Sequence, residues 1–174
     1  MRRPSSTALP AAYIVLRMLI ILNWIYAAVV LAILVGLEAS PQWTLSALGV
    51  PTVAQSGQLL EGLRAVAILG LVTVPLNLAV LKRLIGIVRT VGAGDPFVAS
   101  NAYRLQAIAW FLLAQQVVSL IVAGIGKAVS TPAHTLHLDA GFSAGGWLAV
   151  IMTFVLARVF AEGALMREDL EGTV

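Results

Sequence analysis

The sequence predicts an all-α membrane protein, a single bundle of four antiparallel transmembrane helices with a small β-ribbon outside the membrane. Three observations predict it. Of the 174 residues, 60% are hydrophobic and only 11% are charged, against about 45–50% and about 25% in average globular domains. Four runs are apolar over the roughly 20 residues that cross about 30 Å of hydrocarbon. Lys and Arg collect at the ends of those runs. A soluble domain of this size buries only about 68–70% of the surface its unfolded chain exposes, too little to hide this much apolar area. Disorder requires the opposite composition.

The first predicted span covers residues 12–37, where Asn23 is the one strongly polar residue between Met18 and Val35. Arg2 and Arg3 before an apolar run resemble the start of a signal peptide. The run is longer than a signal's apolar core, and Leu37-Glu38-Ala39-Ser40-Pro41 is a poor cleavage site, so the segment is expected to be retained. The second span covers residues 63–91. It is charge-free from Ala65 to Leu81, contains Pro75, expected to kink it, and continues helically through Lys82, Arg83 and Arg89. The third span covers residues 102–126 and the fourth residues 140–164. A backbone in lipid must satisfy its own hydrogen bonds, so each span is a helix.

Between the second and third spans, Gly92-Ala93-Gly94 marks a tight turn. Asp95-Pro96 reads as an N-cap followed by proline at the first helical position, and Asn101 as a second cap. The two spans therefore form an antiparallel hairpin. Gln42 to Leu48 and His134 to Asp139 each alternate partly between polar and apolar residues behind a proline. Period-two alternation suits short strands, and these two segments pair in the predicted ribbon.

With four spans, both termini and the middle loop share one side. That side collects Arg2, Arg3, Arg17, Lys82, Arg83, Arg89, Arg104, Arg158 and Arg167, nine basic residues against Arg64 and Lys127 on the other. The positive-inside rule then places both termini in the cytoplasm. The net charge of +3 reflects this topology, and no direct nucleic-acid binding is expected. The sequence has no cysteine, which excludes disulfides and thiolate chemistry.

Polar groups inside the spans are Asn23, Asn77, Gln115 and Gln116. Interhelical hydrogen bonding accounts for such residues more readily than a substrate path, and no Asp, Glu, Lys, Arg or His lies deep in any span. His134, His137 and Asp139 are the sole candidate metal set, but an extended segment points residues three apart to opposite faces. No metal, cofactor, catalytic residue or enzymatic activity is expected. Gly141 and Gly145 open the fourth span as a small-xxx-small step, read as a packing face within the bundle.

The fourth helix is expected to continue into a cytoplasmic amphipathic tail, residues 158–174, with Gly163 as its weak point. Arg158, Phe160, Glu162, Arg167 and Glu168 are its candidate partner-binding residues, in a pattern suited to helix-in-groove contact. The turn residues Gly94, Asp95, Pro96, Asn101 and Arg104 lie on the same side. Lys82, Arg83 and Arg89 offer contacts to anionic membrane lipids.

Two segments carry a resemblance. One runs Gly94-Asp95-Pro96-Phe97-Val98, then Asn101-Ala102-Tyr103-Arg104-Leu105 to Ile108-Ala109-Trp110. The other runs from Val155 through Arg158-Val159-Phe160-Ala161-Glu162-Gly163-Ala164 and Arg167-Glu168 to Thr173-Val174. Together they resemble the small bacterial four-span membrane proteins of "domain of unknown function 2975". The resemblance implies residence in the bacterial inner membrane and a partnership with a small helix-turn-helix transcription regulator. The expected function is a non-enzymatic regulatory or interaction protein that docks a cytoplasmic partner. The alternative is an accessory or structural subunit, held to other membrane subunits in a larger complex.

Overall fold

The computed structural model describes residues 8–49, 57–130 and 140–171. The described residues hold five helices and no strand: α1 (Ala8–Ala39), α2 (Pro41–Ala47), α3 (Gly57–Gly92), α4 (Ala99–Val129) and α5 (Ala144–Glu171). Four of them, all but α2, are long and apolar enough to cross a membrane. Their apolar side chains lie largely on the surface. Met18, Trp24 and Ile151 are 63%, 58% and 57% exposed, and that much bare apolar surface needs hydrocarbon around it.

The chain divides into two compact units. Among the described residues, one comprises 8–22, 77–113 and 144–171. Within it α3 and α4 run antiparallel, with Arg83 on Phe111, Gly86 on Arg104 and Thr90 on Asn101. α5 returns beside α4, with Trp110 edge-on to Phe154 at 5.4 Å between ring centroids. Its buried core includes Ala102, Ile108, Ala109, Val150 and Ala157.

The other unit comprises, among the described residues, 23–49, 57–76, 114–130 and 140–143. In it α1 and α3 are antiparallel, with the buried Asn23 donating from Nδ2 to the Val74 carbonyl at 3.2 Å. Farther along, Arg64 pairs with Glu38 at 2.9 Å and with Glu61 at 2.8 Å. Gly62 lies against Val129 of α4. Leu37, Leu45 and Leu59 are buried.

The predicted ribbon is overturned. Residues Pro41–Ala47 form a helix, with Pro41 in its first turn, where proline's fixed φ is preset. Thr44 donates from its amide and its hydroxyl to the Ser40 carbonyl, while Thr44 and Leu45 are buried and Thr44 fills the space beside Gly36. Burial of two adjacent residues suits a helical turn and not an alternating strand. The second predicted strand, residues 134–139, lies outside the described residues, as do His134, His137 and Asp139.

The start of the last span also shifts. α5 begins at Ala144, and Gly141 stands before it with φ +132, a conformation open to glycine. Ser119 receives the Gly141 amide on Oγ at 2.9 Å. Gly141 and Gly145 therefore do not form one helical stripe.

Candidate functional site

The turn after α3 is built by hydrogen bonds that close the helix. The Asp95 amide donates to Thr90 O and the Gly94 amide to Val91 O, each at 3.0 Å. Gly94 takes φ +87. This is a Schellman motif, which satisfies the last carbonyls and needs glycine at the left-handed position. The predicted glycine turn is therefore present. The predicted caps are not. α4 begins at Ala99, so Pro96 is outside the helix and Asp95 does not cap it. Asn101 lies inside the first turn, its amide donating to Val98 O at 2.8 Å.

The displaced residues have other partners. Asn101 is fully buried, at 0% exposure. Its Nδ2 donates to Thr90 Oγ1 at 2.7 Å and to Pro96 O at 2.9 Å, and its Oδ1 accepts from Arg104 Nη1 at 2.7 Å. One side chain thus ties the end of α3, the turn and the start of α4. The Arg104 guanidinium lies over Gly86, where a Cβ would stand 3.0 Å from Nε. Asp95 accepts from Arg167 of α5 as an ion pair.

Phe97 completes this assembly. Its ring stacks at a tilt on Phe160, 5.3 Å between centroids, and covers Gly163, whose added Cβ would be 2.8 Å from Phe97 Cδ1. Gly163 is therefore the seat of Phe97 and not a break in the helix, since α5 runs unbroken through it. The non-helical stretch 95–98 carries two contacts to α5: Asp95 to Arg167 and Phe97 to Phe160.

The tail residues consequently divide. Phe160 and Arg167 are engaged with the turn. Arg158 and Glu162 pair with each other at 2.8 Å on the surface, an exposed i,i+4 pair of small energetic weight. Arg158 and Glu168 also line a groove of about 540 Å³ between α4 and α5, with Ala102, Tyr103, Ala157 and Ala161. Ala102 and Ala157 are buried while Tyr103 is 72% exposed. The groove thus has a floor of small apolar side chains and a polar, aromatic rim.

The intramembrane polar residues are not gathered into one site. Asn23 hydrogen-bonds to α3, as described. Asn77, Gln115 and Gln116 are half-buried, and Asn77 and Gln115 each have an interaction partner. Among the described residues, no three His, Asp or Glu side chains come together as a metal-binding group.

A second cleft is formed by Tyr13 and Arg17 of α1 with Lys82 and Arg89 of α3; the sequence marks Lys82 and Arg89 as lipid contacts but does not join them to α1. Arg17 and Arg89 both lie over the Tyr13 ring, 5.0 and 5.8 Å from its centroid. The i,i+4 spacing of Tyr13 and Arg17 places them on one helix face, but nothing linear links them to α3.

The model of one protein family, described as "Protein of unknown function (DUF2975)", matches residues 39–174, which include the turn, the α4–α5 groove and the tail. The chain belongs to this family. No curated protein and no solved structure matches it. As a DUF2975 member, it places the buried Asn101, the Asp95–Arg167 pair and the Phe97–Gly163 contact within the matched region. Tyr13 and Arg17 fall before it.

Proposed function

We propose that this DUF2975 chain is a non-enzymatic, multi-pass protein of the bacterial cytoplasmic membrane. Both termini face the cytoplasm, and a soluble regulatory partner docks on the groove between α4 and α5. The groove carries this reading. Its alanine floor admits the close approach of another helix, and Arg158 and Glu168 present opposite charges along its rim. An amphipathic helix of the partner suits it, its apolar stripe on the alanines, an acidic residue toward Arg158 and a basic one toward Glu168.

Two further features support the reading. The groove residues lie at and beyond the ends of the charge-free runs, where the tail leaves the hydrocarbon. Asn101 ties the turn to α3 and α4, and Phe97 and the Asp95–Arg167 pair hold it against α5, so the groove is a formed surface rather than one assembled on contact, which lowers the cost of binding. The nine-to-two distribution of basic residues supports the cytoplasmic placement. The family resemblance makes a helix-turn-helix regulator the first partner to test.

The test is purification from native membranes in mild detergent, followed by mass spectrometry of accompanying chains. The wild type is compared with Arg158→Glu/Glu168→Lys, which reverses both rim charges and leaves the packed residues intact. A soluble protein recovered with the wild type and lost with the variant supports the reading. Integral membrane chains recovered equally with both overturn it in favour of an accessory subunit.

A further inference from the structure

The cleft between α1 and α3 gathers positive charge, and among the described residues no acidic side chain lines it. It encloses about 470 Å³ and is lined by Tyr13, Arg17, Lys82 and Arg89, with Ile20 and Ile21 at its apolar end. Arg17, Lys82 and Arg89 are all exposed. Arg89 donates from Nη2 to the Tyr13 hydroxyl at 3.4 Å. Two guanidiniums therefore share one aromatic ring. Attraction to the ring's quadrupole offsets part of their mutual repulsion. Among the described residues, no ion pair involves Arg17, Lys82 or Arg89.

The position of the cleft points to its occupant. Arg17 immediately precedes the charge-free run Met18–Leu37, and Lys82 immediately follows the charge-free run Ala65–Leu81. The latter run rises about 26 Å as a helix, close to the thickness of the hydrocarbon. The cations thus stand where hydrocarbon gives way to headgroups. Ile20 and Ile21 continue the cleft toward the apolar region, and Ile21 is 61% exposed. A phosphate against Arg17, Lys82 and Arg89 with an acyl chain along the isoleucines satisfies both ends at once. A free phosphate satisfies only one.

We infer that this cleft is a binding site for the phosphate headgroup of an anionic phospholipid in the adjoining leaflet. Arg17 and Arg89 supply planar, charge-assisted donors. Lys82 adds a point charge, and the Tyr13 ring fixes the two guanidiniums. The site is separate from the α4–α5 groove and does not depend on what docks there.

The experiment is native mass spectrometry of the full chain from nanodiscs containing equal phosphatidylglycerol and phosphatidylcholine. Wild type, Arg17→Gln, Arg89→Gln and the double variant are compared, with Arg158→Gln as a control cation outside the cleft. Circular dichroism confirms that each variant keeps its helices. Wild type is expected to retain phosphatidylglycerol preferentially. Each cleft substitution lowers that preference by about fivefold, the weight of one cation at an anionic membrane surface, and Arg158→Gln leaves it unchanged. Equal retention of both lipids by the wild type overturns the inference. So does an undiminished preference in the double variant, or an equal loss in Arg158→Gln. A parallel arm adds inorganic phosphate at millimolar concentration, and displacement of the lipid would assign the site to free phosphate and overturn the lipid assignment.

Discussion

Phe97 occupies the space that a side chain at position 163 would need: a Cβ on Gly163 would stand 2.8 Å from Phe97 Cδ1. Helix propensity alone disfavours glycine within a helix by about 0.8–1.0 kcal/mol relative to alanine. Here packing reverses that preference. Gly163→Ala is expected to lower the apparent Tm in detergent, at about 1–3 kcal/mol for overpacking. In a Phe97→Ala background the same substitution is expected to be neutral or stabilising. A double-mutant cycle measures the coupling, and an identical effect in both backgrounds would dissolve the proposed contact.

Asn101 is the polar node of the turn. Asn101→Ala removes two donated hydrogen bonds and the acceptor for Arg104, leaving Pro96 O and Arg104 to find other partners. The expected loss is about 1–3 kcal/mol, read as a fall in thermal midpoint and as faster proteolysis between α3 and α4. Asn101→Ala behaving as wild type in both assays would contradict the assignment.

The Asp95–Arg167 pair differs in kind. Its side chains are 39% and 41% exposed, so water and salt screen it. Its energetic weight is about 0.2–1 kcal/mol. Arg167→Gln is therefore expected to change global stability little while increasing hydrogen exchange in the last turns of α5, and added salt should reproduce that local effect in the wild type. A large fall in thermal midpoint would mean that Arg167 has a structural role beyond this pair.

The spans were legible because charge-free runs and flanking cations are linear signals. The tight turn was legible through Gly94, since only a few residue types accept its φ. The segment Gln42–Leu48 was not, because a short stretch alternates equally well on either period. The decision came from Thr44 fitting against Gly36, a contact between elements. Asp95-Pro96 carried a sound cap signature, yet its partners, Arg167 and the seat for Phe97, lie about 70 residues away in sequence, and residues 95–98 stay outside the helix. The basic cleft was half legible for the same reason: Lys82 and Arg89 stood out as cations for anionic lipid, but Tyr13 and Arg17, which complete it, belong to a different helix.

The α4–α5 groove can receive a soluble partner only if it faces the cytoplasm, and the absence of cysteine from this chain makes that directly measurable. Glu168 at the groove and Gln58 near the start of α3 are both exposed. Glu168→Cys and Gln58→Cys, each the single thiol of its variant, are labelled in intact cells with a membrane-impermeant maleimide, before and after permeabilisation. A cytoplasmic groove predicts labelling of Gln58→Cys in intact cells and of Glu168→Cys only after permeabilisation. Labelling of Glu168→Cys in intact cells would contradict it, because the groove would then face away from any cytoplasmic partner.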